Sequence, residues 1–170
     1  MSRKKRVYED RVQPDLVYSS YEMSKFVNHV MKNGKKELVL RAFYDALKRI
    51  HKSDVVTKHE SLVNSNPKQI FEYALKQCQP SIEVKSRRIG GSNFQIPSDI
   101  SGTPRSVSLA VKWLAKGVGL AKNLSLELKI TSVILDAINN KGYAVSERDR
   151  IAKIAEANKA YAHFANDRRK

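Results

Sequence analysis

Apolar residues recur every three or four positions along most of the chain, and this spacing predicts helices. The predicted helices start at capping residues such as Ser20 and Asn66, and they stop at Gly or Pro. The pair Asn33-Gly34 separates the first two helices, because Gly accepts the left-handed conformation past a helix end. The six predicted helices cover residues 20–31, 35–50, 66–79, 103–119, 125–140 and 146–161.

The sequence also predicts which residues of some helices are buried and where those helices end. The second helix is expected to bury a stripe that begins at Leu38, and Gly117 and Gly119 are expected to mark the end of the fourth. Gly142 is expected to close the fifth, and Ser146 to cap the last. Between residues 51 and 65 the apolar period fails, so we predict a surface loop or a frayed helix end there. The predicted stripe of the fifth helix is Leu128, Thr131, Leu135 and Ile138.

Residues 82–100 follow a different pattern, because polar and apolar positions alternate on both sides of Gly90-Gly91. Two short strands joined at a Gly-Gly turn make a hairpin, and Pro97 assigns its strand to an edge. Successive arginines, Arg87 and Arg88, alternate between the two faces, so neither face is expected to be a core face. The predicted fold class is mainly α: a bundle of about six helices with one protruding two-stranded β-ribbon.

Composition adds a strong charge to this helical scaffold. The chain has 170 residues, 32 Lys and Arg against 17 Asp and Glu, and a formal charge of +15. Such a basic domain favours a polyanionic partner, either nucleic acid or an anionic membrane surface. No apolar run approaches the roughly 18 residues of a membrane span, so we expect no membrane-spanning segment. The length indicates one folded domain with tails.

The candidate chemistry of the chain is sparse. Cys78 is the single cysteine, which excludes an internal disulfide, and the four histidines show no metal-ligand spacing. There is no phosphate-binding loop motif and no nucleophile motif, and the acidic residues show no magnesium-binding pattern. We therefore expect no cofactor, no metal and no enzymatic activity.

Basic residues form the candidate site. A run at the N-terminus reads either as a solvated tail or as an arm on a phosphate backbone, and it comprises Arg3, Lys4, Lys5 and Arg6. The ribbon cations Lys85, Arg87 and Arg88 read either as solubilising edge charges or as nucleic-acid contacts. The second reading is favoured, because Gly90 and Gly91 allow close backbone approach to an anion. The adjoining residues Asn93, Phe94 and Gln95 offer a hydrogen-bonding edge and a stacking ring.

Three functions compete at this point. The first is RNA binding, and the second is a DNA-architectural protein whose basic ribbon enters a groove. The DNA reading lacks an apolar wedge at the tip, where Gly90-Gly91 stands and Phe94 is the nearest ring. The third, an enzyme acting on nucleic acid, lacks a carboxylate or metal centre.

Three motifs resemble one known family. VKSRRIGGSNFQIP (residues 84–97), AEANKAYAHF (155–164) and KFVNHVMKNGKK (25–36) are similar to segments of the bacterial-type small-subunit ribosomal protein seven family, and they occur in that family's order. The resemblance covers roughly residues 14–164. It implies a helical body with a protruding hairpin, which fits the pattern described above.

The resemblance also implies function. It implies a structural protein that binds the 3′ major domain of small-subunit rRNA, nucleates assembly of the subunit head and lies near the tRNA exit site. The implied neighbours are small-subunit proteins nine and eleven, exit-site tRNA and mRNA. We expect neither association with a membrane nor formation of a homo-oligomer. By motif position the rRNA contacts are Lys35, Lys36, Lys85, Arg87, Arg88, Arg105 and Lys112, with the N-terminal arm, and the ribbon tip near tRNA and mRNA is Gly90, Gly91 and Ser92.

The domain organisation follows from the same reading. Residues 1–18 are expected to form a basic arm, 19–164 one helical rRNA-binding domain and 165–170 a tail. The chain departs from the family in its lone Arg105, in Ala42, in the longer 51–65 segment and in its tail. We expect the protein to belong to the ribosome of a mitochondrion or plastid whose own genome encodes it, or to a ribosome of the bacterial cytoplasm. This expectation rests on the many Lys, Asn and Ile residues and on the lack of a transit peptide.

Overall fold

Helices dominate the chain from Val12 onward, and one antiparallel ribbon interrupts them. The computed structural model describes residues 12–58, 62 and 65–165. The helices are α1 (Tyr21–Val30), α2 (Lys36–His51), α3 (Asp54–Lys58), α4 (Pro67–Cys78), α5 (Pro104–Leu120), α6 (Leu126–Ile138) and α7 (Gly142–Ala157), with a terminal 3₁₀ segment at Lys159–Ala165. The strands are β1 (Ile82–Ile89) and β2 (Ser92–Asp99), and they pair with each other. The predicted mainly-α fold with a β-ribbon is confirmed.

Three phenylalanines from three helices form the centre of the core. Phe26 of α1, Phe43 of α2 and Phe71 of α4 are fully buried, and their ring centroids lie 5.4–5.6 Å apart. Tilted and edge-on rings at this spacing add to the stabilisation that comes from burial alone. Helices α5 and α6 close the core with Leu114, Ile130 and other fully buried side chains.

Gly117, Gly119 and Gly142 were predicted to mark helix ends, and the structure corrects this interpretation for Gly117 and Gly142. Gly117 is buried inside α5, which continues to Leu120, and a Cβ there would lie 3.4 Å from Val133 of α6. Gly142 begins α7, four residues before the predicted cap at Ser146, whose hydroxyl instead donates to the Gly142 carbonyl. Burial of Ala144 and Val145 explains this early start, because tertiary packing holds the first turn in the helix.

Two predicted stripes are also wrong in part. Leu38 is 56% exposed, and the buried stripe of α2 begins at Val39. In α6 the apolar residues lie on more than one face, so the helical period alone did not identify the buried side. Packing against α2 and α4 selects it. The fully buried residues of α6 are Ile130, Ile134, Ala137 and Ile138.

Among the residues that the structure describes, the 51–65 segment is more ordered than a surface loop. It contains the five-residue helix α3, and both Val56 and Leu62 belong to the core. A short helix with one buried valine gives too few apolar positions for a periodic pattern, which is why the sequence read as irregular.

The end of the predicted N-terminal arm lies against the helical body. Asp15 is buried, its carboxylate accepts hydrogen bonds from the backbone NH groups of Val17 and Tyr18, and Tyr44 donates to it at 2.6 Å. Burial and this carboxylate together raise the pKa of the Tyr44 hydroxyl well above its ordinary value. Residues 15–18 are thus held by α2, and residues 1–11 lie outside the described part of the chain.

We expect Gly142→Ala to lower the free energy of unfolding by about 1–3 kcal/mol, because the backbone there has φ +86° and a Cβ would lie 3.1 Å from Asp136 Cβ. Gly119→Ala is the matched control, since Gly119 lies in the exposed last turn of α5 and a Cβ at that position would meet nothing within 4 Å. It should leave stability unchanged or raise it by up to about 1 kcal/mol. Urea unfolding followed by circular dichroism measures both, and equal midpoints would contradict the interpretation.

Candidate nucleic-acid interface

Helix α5 separates the predicted contacts into two basic patches. The ribbon base meets α5 at Arg105, in its first turn, while Gly119, near the other end of α5, lines a groove together with Lys32 and Lys35 of the α1–α2 junction. At 1.5 Å per residue these two points are about 21 Å apart along the helix. We call the first group the ribbon patch, which comprises Lys85, Arg87, Arg88, Gly90, Gly91, Ser92 and Arg105. We call the second the junction patch, which comprises His29, Lys32, Lys35, Lys36 and Lys129.

The outer half of the ribbon is exposed on both strands. Ser86, Arg87 and Arg88 are exposed on β1, and Ser92 and Asn93 on β2. Gly90 and Gly91 have φ of +57° and +92°, the positive values that a two-residue hairpin turn requires. This half therefore presents one guanidinium group on each face of the ribbon and an open glycine backbone, the features expected of a phosphate contact.

The inner half of the ribbon packs on the body, contrary to the expectation that neither face would be a core face. Ile96 and Pro97 of β2 are buried, and Phe94 packs at a tilt of 51° against Tyr161 of the 3₁₀ segment, with centroids 4.9 Å apart. Ser106 of α5 donates to the Pro80 carbonyl at 2.8 Å and holds the approach to β1. Because Phe94 is engaged, the predicted stacking ring serves the fold.

A carboxylate at the ribbon base holds two of the predicted contacts. Glu83 is only 13% exposed, and it accepts from Arg105 through two nitrogens, at 2.5 and 3.1 Å. The Arg105 guanidinium, assisted by Lys85 at 3.6 Å, holds the pKa of Glu83 below its ordinary value, against an opposing effect of burial. The positive charge of Arg105 is therefore neutralised locally, and its observed contact is a clamp between ribbon and α5.

The junction patch is richer in cations than its motif indicated. Asn33 and Gly34 take positive φ and turn the chain into α2, so that Lys35 and Lys36 are exposed at its start. A groove of about 290 Å³ adjoins them between α1, α2, α5 and α6. Within the described residues, neither lysine has a carboxylate at ion-pair distance. The other basic side chains that line the groove are His29, Lys32 and Lys129.

The remaining predicted contacts lie elsewhere. Lys112 is exposed on α5, between the two patches, and it has no ion pair within the part of the chain that the structure describes. Arg3, Lys4, Lys5 and Arg6 lie outside the described residues. Other cations are engaged by carboxylates, and these are Arg41, Lys48, Arg49, Arg148 and Arg150.

Sequence reasoning missed the contribution of α6 to the junction patch. Lys129 belongs to the first turn of α6 and is more than ninety residues from Lys35, so only helix packing brings them together. The described residues contain no group of three or more His, Cys, Asp or Glu side chains arranged to hold a metal ion. Each helix in the described ranges is too short or too polar to cross a membrane.

Comparison with known proteins adds independent information. The family model described as ribosomal protein S7p/S5e matches residues 2–159. The chain is 36% identical to the small ribosomal subunit protein uS7 of Thermus thermophilus over 164 residues, which cover 96% of this chain and 99% of that protein. The proteins of the same name from Desulfotalea psychrophila and Wigglesworthia glossinidia brevipalpis are 38% and 37% identical over the same coverage.

We expect acid to loosen the ribbon base. The folded-state pKa of Glu83 is lowered, so the clamp stabilises the ribbon above about pH 4.5 and loses this effect as the pH falls through the lowered value. Glu83→Gln should lower the local opening free energy by up to about 1 kcal/mol at neutral pH and remove the pH dependence. Hydrogen exchange of the β1 and β2 amides measures both effects.

Glu37→Gln is the matched control, because Glu37 pairs with Arg41 within α2 and joins no two elements. It should leave exchange in the ribbon unchanged. Unaltered ribbon exchange in Glu83→Gln would show that buried apolar contacts alone hold the base.

Proposed function

The chain belongs to the ribosomal protein S7p/S5e family, and we propose that it binds the 3′ major domain of small-subunit rRNA and nucleates assembly of the subunit head. It is a structural, non-enzymatic protein of the small ribosomal subunit, of bacterial type. In this proposal the ribbon tip reaches towards exit-site tRNA and mRNA, with Gly90, Gly91 and Ser92 at the closest approach. Small-subunit proteins nine and eleven are its neighbours, and it acts as one copy.

One observation carries this proposal: the ribbon is anchored at its base and exposed and basic at its outer half. The Glu83–Arg105 clamp and buried Ile96 hold the base, while Arg87 and Arg88 extend beyond it. A pre-ordered basic element loses less conformational entropy on binding than a flexible tail. Such an element is suited to hold a defined position on a folded RNA.

The junction patch supports a second area of contact. It borders the groove at Gly119, about 21 Å along α5 from Arg105 at the ribbon base, so the two patches are far enough apart to engage separate stretches of phosphate backbone. Two patches on one rigid body define an orientation, which a single patch does not. This geometry fits a protein that brings rRNA segments together early in assembly.

The DNA-architectural alternative receives little support from the ribbon. Minor-groove ribbons that bend DNA insert an apolar wedge, and here the exposed tip is Gly90-Gly91. Phe94, the nearest ring, packs on Tyr161. Competition between structured RNA and duplex DNA of equal length tests the choice, and preference for the duplex would favour DNA.

We expect the binding of rRNA to be strongly salt-dependent, because phosphate contacts release condensed counterions. If five to seven cations contact phosphates, affinity should fall about 10²- to 10⁴-fold between 50 and 200 mM salt. Filter binding with a 3′ major-domain rRNA fragment measures the slope. A flat response would exclude an electrostatic interface.

We expect Arg87→Ala with Arg88→Ala to weaken rRNA binding about tenfold or more and to reduce the salt slope by about one to two units. The thermal midpoint should stay nearly constant, because both side chains are exposed. Lysine at both positions should restore only part of the affinity, since an ammonium group lacks the planar fork of guanidinium.

Arg41→Ala with Lys48→Ala is the matched control for charge. It also removes two positive charges, but each of these side chains already has a carboxylate partner on α2. It should change rRNA affinity much less than the ribbon variant. Parent-like binding by the ribbon variant would move the interface to the helices.

A further inference from the structure

A cleft of about 300 Å³ separates the ribbon from α5 and α7. One water molecule occupies about 30 Å³ in the liquid, so the cleft has room for about ten waters or for one planar ring system with some water. Five of its lining residues are apolar: Val84 of β1, Leu109 and Trp113 of α5, and Ile151 and Ile154 of α7. Trp113 lines the cleft although only 7% of it is exposed.

Neutral polar groups line the opposite, ribbon side. Ser86 and Gln95 are direct partners in the strand register, and both are exposed. No hydrogen bond of either side chain occurs within the described ranges. A hydroxyl and a carboxamide together offer donors and acceptors side by side, the arrangement that the edge of a nucleobase also presents.

The charges at the cleft are already neutralised within the protein. Glu83 is held by Arg105, and Arg150 forms two hydrogen bonds with Glu147, at 2.7 and 2.9 Å. The cleft therefore favours an uncharged ligand group. Arg88 follows Ser86 by two residues on the same face of β1, about 7 Å along the strand. Its Nε donates to the Gly91 carbonyl at 3.3 Å, at the exposed tip of the ribbon.

We propose that this cleft receives one unstacked nucleobase from a single-stranded or looped segment of the bound RNA. Leu109, Trp113 and Ile154 enclose the ring, Ser86 and Gln95 hydrogen-bond to its edge, and Arg88 contacts the adjoining phosphate. The inference rests on the proposed function, because it requires RNA on the ribbon. It adds recognition of an unpaired base to a surface otherwise explained by phosphate contacts.

The sole tryptophan makes occupancy of the cleft directly measurable. The probes are three RNAs: a stem-loop with an unpaired loop, the same stem-loop with abasic loop nucleotides, and a fully paired duplex of equal phosphate number. At saturation the first should quench the fluorescence of Trp113, and the other two should leave it unchanged. Quenching of equal size by the abasic stem-loop would overturn the proposal.

Substitution of the polar edge gives a second readout. Gln95→Ala should weaken binding of the looped RNA about 3- to 10-fold, the equivalent of one net hydrogen bond, with no change in salt slope. Binding of the duplex should be unaffected. Asn139→Ala is the matched control, because Asn139 also carries an exposed carboxamide but follows the end of α6, outside the ribbon and both patches, and it should bind all three RNAs like the parent.

The outcomes separate this inference from the proposed function. If the parent binds the stem-loop in a salt-dependent manner, but Trp113 fluorescence and Gln95→Ala affinity are unchanged, the nucleobase site is refuted and rRNA binding stands. If the parent binds none of the RNAs, both are refuted. Thermal melting of Gln95→Ala at the parental midpoint establishes that its effect is local.

Discussion

The ion pair between Glu83 and Arg105 is the contact on which the arrangement of the ribbon depends. It joins the first turn of α5 to β1 at the point where the ribbon leaves the helical body. Burial of Glu83 makes the pairing necessary, since an unpaired carboxylate in that position would be strongly disfavoured. Together with buried Ile96 and Pro97, this attachment sets the direction of the ribbon and the cleft beside α5, whereas the separation of the two basic patches follows from the length of α5.

The basic side chains fall into two groups, those held within the fold, often by a carboxylate, and those that have no carboxylate partner within the described ranges. Arg148 donates to the Gln77 carbonyl at the end of α4, and Arg150 is held by Glu147, so both act within the fold. Lys35, Lys36 and Lys112 have no carboxylate at ion-pair distance within the described ranges. Net charge thus overstates the number of cations available to a polyanionic partner, and the ion-pair pattern indicates which cations remain.

Burial explains why the ribbon could be placed by its sequence but its anchoring could not. The alternation of residues 82–100 and the Gly90-Gly91 turn predicted the hairpin correctly, with its tip. Its anchoring escaped prediction, because Phe94 packs on Tyr161 and β2 contacts the 3₁₀ segment, more than sixty residues later in the chain. The buried state of Cys78, which raises the pKa of its thiol to about 12, was equally a product of packing.

The sequence by itself determined that the chain is helical, carries a basic hairpin and favours a polyanionic partner. These conclusions rest on local features, namely helical periodicity, helix caps, the Gly-Gly turn and a charge of +15. Only the tertiary structure decided which cations stay available, because Glu83 and Arg105 are 22 residues apart and Lys129 reaches the junction patch through helix packing. It also decided that Gly117 lies inside α5 and that Gly142 begins α7. Such choices depend on neighbours distant in sequence, and no local pattern contains them.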